Sequence, residues 1–442
     1  MYYSELRDKI FKKASNMFDH CEIFINSFTE SSVITYNDEL KKYEVSESGG
    51  ISFRGIKGNK EGYAYSENIS EDSIDYLLES AMQILEASDE KEEIFIYKPE
   101  IEDRFENTIE KNEALSSEMI KMSKIMNEVC RKNADNVHQV DGYLNYGFTK
   151  KYIANTYNLE KYEEKEHYSA YCMVILKNGE EMKMGGEFKI KNRLEEFNFE
   201  DIAIKALENA QKSFGAKPVK SGKYDVIIKN NSFVSIISNL ILGLSADRVQ
   251  KKMSPFSKED LDTKIGCDKI TIIEKNKIEG LNSITNFDGE GICKKEFDYI
   301  RNGVLKNFAY NIETASNYGV DSNAGSQRSY KSKSVPSIGK IEIVSGETSY
   351  EDMLRKMNNG LVINSVQGIH AGLNSVSGEF SLQCSGNLVE NGVETRAVDQ
   401  IIMSSSIKHL LNNIVEVGND VEITNEYSCP SVYISGIDIS GE

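Results

Sequence analysis

Beyond residue 244 the chain is a succession of short alternating stretches broken by turn residues, and this pattern constrains the fold most. Only two helical patterns interrupt it, at 350–357 and 404–414. A strand buries one face and leaves its edges unpaired, so many short strands in a row predict a barrel-like or sandwich-like domain. This half opens with a buried-looking strand at 224–229 and an apolar helix at 232–244. No repeat of fixed period and no low-complexity tract competes with that reading.

The first half mixes both periodicities. Leu6, Ile10, Phe11, Ala14, Met17 and Phe18 recur at helical spacing behind Ser4 as N-cap, which predicts a helix over 4–18. Further helices are expected at 71–87, 114–132 and 201–213. Alternating stretches at 21–27, 32–36 and 43–46 read as strands, and the glycine-punctuated run 49–65 reads as a hairpin with tight turns. Strands return at 138–146, 151–156, 167–176 and 181–190. Gly215, Pro218 and Gly222 mark 214–222 as a linker. The expected class is α+β: an N-terminal sheet-and-helix domain over 1–213 and a strand-rich, barrel-like C-terminal domain over 223–442.

Charge and cysteine usage narrow the function. The chain carries 70 acidic against 52 basic residues, a net −18, which argues against binding a phosphate backbone. Arg328, Lys331 and Lys333 form the most basic short stretch of the second half; separated by Ser and Tyr, they read as a solvated loop. Seven cysteines are scattered without a C-x-x-C pair, and no signal-peptide pattern follows Met1, so a reducing cytoplasm is expected. No run approaches 18 apolar residues, so no membrane-spanning helix is expected.

Catalytic and metal motifs are missing. The five histidines include no pair within a helical turn, which excludes H-E-x-x-H. G-x-S-x-G is absent, and Gly222-Lys223 lacks the upstream glycine of a P-loop. Asn286, Asp288, Glu290 and Gly291 imitate the start of a calcium loop. The position of the bidentate glutamate is Phe297, however, so an acidic turn is the reading preferred. Cys384 and Cys429 read as buried small hydrophobes rather than nucleophiles. His370, between Gly368 and Gly372, reads as an exposed loop histidine.

A chain of segments resembles the TldD/PmbA family. The most specific is Gly368-Ile369-His370-Ala371-Gly372-Leu373-Asn374-Ser375-Val376-Ser377-Gly378-Glu379-Phe380-Ser381, followed by Val389-Glu390-Asn391-Gly392. Phe287-Asp288-Gly289-Glu290-Gly291, Asn302-Gly303-Val304-Leu305, Val417-Gly418-Asn419-Asp420 and Pro430-Ser431-Val432-Tyr433-Ile434 agree in order. In the first half, Gly50-Ile51-Ser52-Phe53-Arg54 and Gly62-Tyr63-Ala64-Tyr65-Ser66 are similar to the family's opening hairpin.

The family's catalytic TldD-type subunits carry an H-E-x-x-x-H helix completed by a late cysteine. The resemblance puts that helix at residues 231–240, where this chain has neither His nor Glu. Cys429 stands in the late region, but its Pro-Ser setting is similar to PmbA-type endings and the ligand role is not carried onto it. The resemblance therefore implies a TldE/PmbA-like subunit without a metal or cofactor of its own. Its expected partner is a TldD-like, zinc-bearing subunit, and its expected substrate an unfolded peptide bound extended in a shared chamber. Asn374, Gly378 and Glu379 are candidates for lining that chamber, with simple turn formation the alternative for Asn374 and Gly378. A stand-alone, homodimeric binding or scaffold protein is the rival function, and an independent hydrolase using Cys384 or Cys429 is the other.

Overall fold

In the computed structural model, which describes residues 2–111, 113, 116–281 and 284–442, the strands of the first half form one seven-stranded sheet. Its members are β1 (His20–Tyr36), β2 (Glu39–Lys57), β3 (Lys60–Ser66), β4 (Asp103–Asn107), β5 (Val137–Asn155), β6 (Leu159–Asn178) and β7 (Glu181–Lys191). The order is β3-β2-β1-β5-β6-β4, with β7 also on β6. Only β4 runs parallel to its neighbour.

Alternation along β1 decides what covers each face. Ile23, Ile25 and Val33 point to the helices. At one end they meet α1 (Tyr2–Ala14) and α2 (Ile74–Ala87) through Leu6, Ile10, Leu77 and Leu78. At the other they meet α3 (Ser116–Asn133) and α4 (Phe199–Gln211) through Met119, Met126, Ile202 and Ala206. The opposite set, Glu22, Phe24 and Asn26, faces the second half of the chain. Helix and sheet approach closely at Gly62: a Cβ there would lie 1.7 Å from the Ala81 carbonyl oxygen of α2.

The second half is built on a closed five-stranded barrel. β8 (Gly222–Ile228) pairs with the strand Gly360–Gln367, and pairing continues through Glu379–Glu390, Val393–Ser406 and Val432–Ser440 back to β8. Closure removes the free edges that such strands would otherwise present. Asn391 and Gly392, at φ 55° and 76°, make the two left-handed positions of the 390–393 hairpin turn. The helix α5 (Asn230–Ile241) buries Phe233, Ile236, Ile237 and Leu240 in one core with the barrel and with a second, six-stranded sheet.

The α+β class with a barrel-like second half holds, and several element boundaries change. The stretches 21–27 and 32–36 are one strand, as are 138–146 and 151–156, and 43–46 is part of the 19-residue β2. The first helix starts at Tyr2, so Ser4 is no N-cap; its hydroxyl donates instead to Glu160 at 2.9 Å. The helix expected at 404–414 is confined to Ile407–Asn412, because Ser406 still ends a strand while capping His409 N–H. Ala114 and Leu115, the expected start of α3, lie outside the described residues. No helix among the described residues is long and apolar enough to cross a membrane.

Asn198 ends the extended chain before α4, and its side chain accepts the Asp201 N–H at 3.1 Å. Asn198→Ala is expected to cost about 1 kcal/mol, read as a lower denaturant midpoint with unchanged slope.

Candidate functional site

The helix α5 is where the resemblance places a zinc motif, so its solvent-facing side is the first place to look for chemistry. Its sequence puts every large apolar side chain on the core face and leaves Asn231, Ser235, Ser238 and Asn239 on the other. These groups are already engaged. The Thr424 hydroxyl donates to Asn231 Oδ1, Ser235 Oγ donates to the Asn231 carbonyl at 2.8 Å, and Asn239 Nδ2 donates to the Ser235 carbonyl at 3.0 Å. Zinc is held by imidazole, thiolate or carboxylate donors, usually three or four of them. Amides and hydroxyls on one helix do not fit it, and among the described residues no group of three or more His, Cys, Asp or Glu could hold a metal ion.

At the start of α5 a polar knot ties the helix to the last barrel strand. Asn230 Nδ2 donates to the Asp420 and Cys429 carbonyls. The Asp420 carboxylate accepts the Ser431 N–H at 3.0 Å and its hydroxyl at 2.7 Å. Lys229 reaches Asp420 at 3.4 Å and lies 3.8 Å from the centre of the Tyr350 ring. Ser431 is wholly buried, so this knot holds the helix in place and offers no accessible nucleophile.

Near the other end of α5 lies an open groove of about 540 Å³ formed by residues 371–375 and 379–381. Pro255 links the two features, lying against Gly243 just beyond α5 and against the Gly378 backbone. Asn374 and Glu379 are brought together along the groove. Asn374 Oδ1 accepts the Val376 and Ser377 N–H groups at 2.9 and 3.2 Å, which fixes the turn. Gly378, at φ 74°, is not among the lining residues; a Cβ there would press on Ile407 and Pro255. His370 is exposed on the one-turn helix Ile369–Gly372.

Cys384 and Cys429 are both buried. Burial pushes the Cys384 thiol up to about 12 and the Cys429 thiol well above the ordinary range, so neither supplies thiolate at neutral pH. The carboxylates of the acidic turn at 286–291 are turned inward. Asp288 accepts the Glu290 and Ile292 N–H groups at 2.9 Å and the Ser326 hydroxyl at 2.7 Å.

The basic stretch at 328–333 is solvated only in part: the Lys331 and Lys333 side chains are 52% and 55% exposed, whereas that of Arg328 is enclosed. Arg328 is buried, pairs with buried Glu22 of β1 and lies 4.9 Å from the centre of the Phe24 ring. Lys333 pairs with Glu61 of β3, which also takes Arg54 and Lys91. Burial raises the Glu61 carboxyl, but Arg54, then Lys333 and Lys91, outweigh it and bring it to about 2. Burial, then the neighbouring Asp288 charge, pushes Glu290 up to about 8. The acidic partners lie some 270 to 306 positions away in sequence, out of reach of any local pattern. The one available signal was a basic triplet in an acidic chain.

Comparison with known proteins agrees with this architecture. Models of the PmbA/TldA metallopeptidase domain 1, central domain and C-terminal domain match residues 21–85, 66–214 and 221–441. A metalloprotease PmbA homologue from Buchnera aphidicola is 26% identical over 443 residues, covering 97% of this chain and 95% of the relative. A Thermotoga maritima structure described as a candidate modulator of a DNA gyrase superposes with a TM-score of 0.88 at 28% identity, covering 99% of this chain and 100% of that one. The structure of TldE from Thermococcus kodakarensis superposes at 0.85 with 18% identity, covering 99% and 100%.

Proposed function

The chain belongs to the PmbA/TldD metallopeptidase family, and from that premise we propose that it is a non-catalytic, TldE/PmbA-like subunit of a two-chain peptidase. The observation that carries the reading is the donor set of α5. Where a zinc-bearing sister chain would present imidazole and carboxylate, this helix presents amides and hydroxyls locked into local hydrogen bonds. Several relatives are named metalloproteases, and that activity requires ligands this helix does not supply. In the proposed complex a TldD-like partner holds the zinc, and this chain closes the chamber in which unfolded peptides are degraded or matured. Asn374 and Glu379 on the groove, shaped by Gly378, are the proposed contacts with an extended peptide.

Peptide hydrolysis and zinc content, measured for this chain alone and mixed with an H-E-x-x-x-H homologue of the same organism, test the proposal. Cleavage only in the mixture, with zinc stoichiometric to the homologue, is the expected result. Chelator-sensitive cleavage by this chain alone would overturn it. A failure of the two chains to associate would leave the homodimeric scaffold as the better reading.

A further inference from the structure

A cavity of about 70 Å³ lies where the N-terminal sheet meets the 328–334 loop. Tyr63 of β3, Glu290, Ser334 and the irregular run Phe95-Ile96-Tyr97 help to line it. Four cationic side chains reach it: Arg54, Lys91, Arg328 and Lys333. Three of the carboxylates that face them, Glu22, Glu61 and Glu313, carry the countercharge. The fourth, Glu290, is pushed up to about 8 by burial and then by Asp288, which weakens its negative charge at neutral pH.

A buried donor without a partner among the described residues marks the cationic side of the cavity. The Arg328 side chain is 4% exposed. One terminal nitrogen pairs with Glu22 and the other lies 3.5 Å from Ser52 Oγ, while its Nε–H finds no acceptor among the described residues. Buried N–H groups without acceptors are rare in folded proteins, and each asks for an explanation. We propose that this interdomain cavity binds one small monovalent anion of halide size, accepting from Arg328 Nε–H. The small volume suits an ion of that size. Bound there, the anion fastens the 328–334 loop of the second half to β1–β3 of the first.

Crystals of the full chain grown with bromide, and thermal melts in chloride against gluconate at constant ionic strength, decide the matter. An anomalous peak within hydrogen-bond distance of Arg328 Nε is expected, together with a halide-specific rise in Tm of about 3 °C at 0.3 M. Arg328→Lys, which keeps the charge and loses the Nε–H, is expected to abolish that rise. Should the variant not fold, the bromide map of the unaltered protein still decides. Water density with no anomalous peak, or a bromide peak with no halide effect on Tm, would overturn the proposal.

Discussion

Arg328→Met is expected to destabilise the protein by about 3–5 kcal/mol, among the largest effects of any single substitution outside the barrel core. Methionine preserves much of the apolar stem but leaves the Glu22 carboxylate, itself 4% exposed, buried without its cation. An uncompensated buried charge costs far more than the ion pair gained in forming, because the desolvation of Glu22 is no longer offset. The guanidinium over the Phe24 ring and the contact with Ser52 are lost as well. The decisive comparison is the double variant Arg328→Met with Glu22→Gln. If the unpaired charge causes the loss, the double variant recovers much of it, and a denaturant series on the four proteins of the cycle measures the coupling. Equal losses in the single and double variants would assign the effect to packing instead. Because the pair joins β1 to the 328–334 loop, the single variant is also expected to become protease-sensitive between residues 326 and 337 while the barrel stays protected.

This pair shows why part of the molecule was legible in the sequence and part was not. Local periodicity found the helices at 71–87 and 201–213 because one apolar face is read every turn, as Leu77, Leu78 and Ala81 demonstrate on α2. The turn at Asn391-Gly392 was legible only through the family resemblance; two left-handed positions there favour those residue types. Local periodicity broke β2 into pieces because residues 39–48 are all exposed and, outside the short alternation at 43–46, polar-rich. Those residues are strand because β1 pairs with them, and pairing is not written in their own side chains. Ser404, Ser405 and Ser406 were assigned to a helix for the converse reason: pairing with the 379–390 strand holds them extended against the helical pattern that follows. For the candidate site, motif order identified α5 and the 368–381 segment, which are local in sequence. The charge cluster around Glu61, Glu290 and Arg328 draws on segments of both halves of the chain, and only the fold brings them together.

Glu290 carries the second large effect, and its sign follows from burial. Its carboxyl lies in the folded protein near 8, raised by burial and by Asp288, with Glu22 adding to the repulsion and the Ile312 N–H, at 2.9 Å from Oε2, opposing it. The unfolded chain releases this proton near the ordinary value of 4.5. Between those limits the folded state holds more protons than the unfolded one, so the group's contribution is fully present below about pH 4.5 and is lost as pH rises through 8. Asp288, also pushed up by burial, acts in the same direction. Lys165, brought down to about 8 by burial, titrates with the opposite sign above that pH, and Glu61 matters only under acid conditions. Both cancel when a variant is compared with its parent. Glu290→Gln keeps the shape and the acceptor for Ile312 N–H but cannot ionise. It is expected to match the parent below about pH 4.5, to be ahead by about 2 kcal/mol at pH 6 and to gain roughly 2–3 kcal/mol more by pH 8.5, read from paired denaturant midpoints. A difference that stays flat between pH 6 and 8.5 would mean that Glu290 is already ionised when folded. The cavity beside Arg328 would then hold a carboxylate rather than a neutral acid.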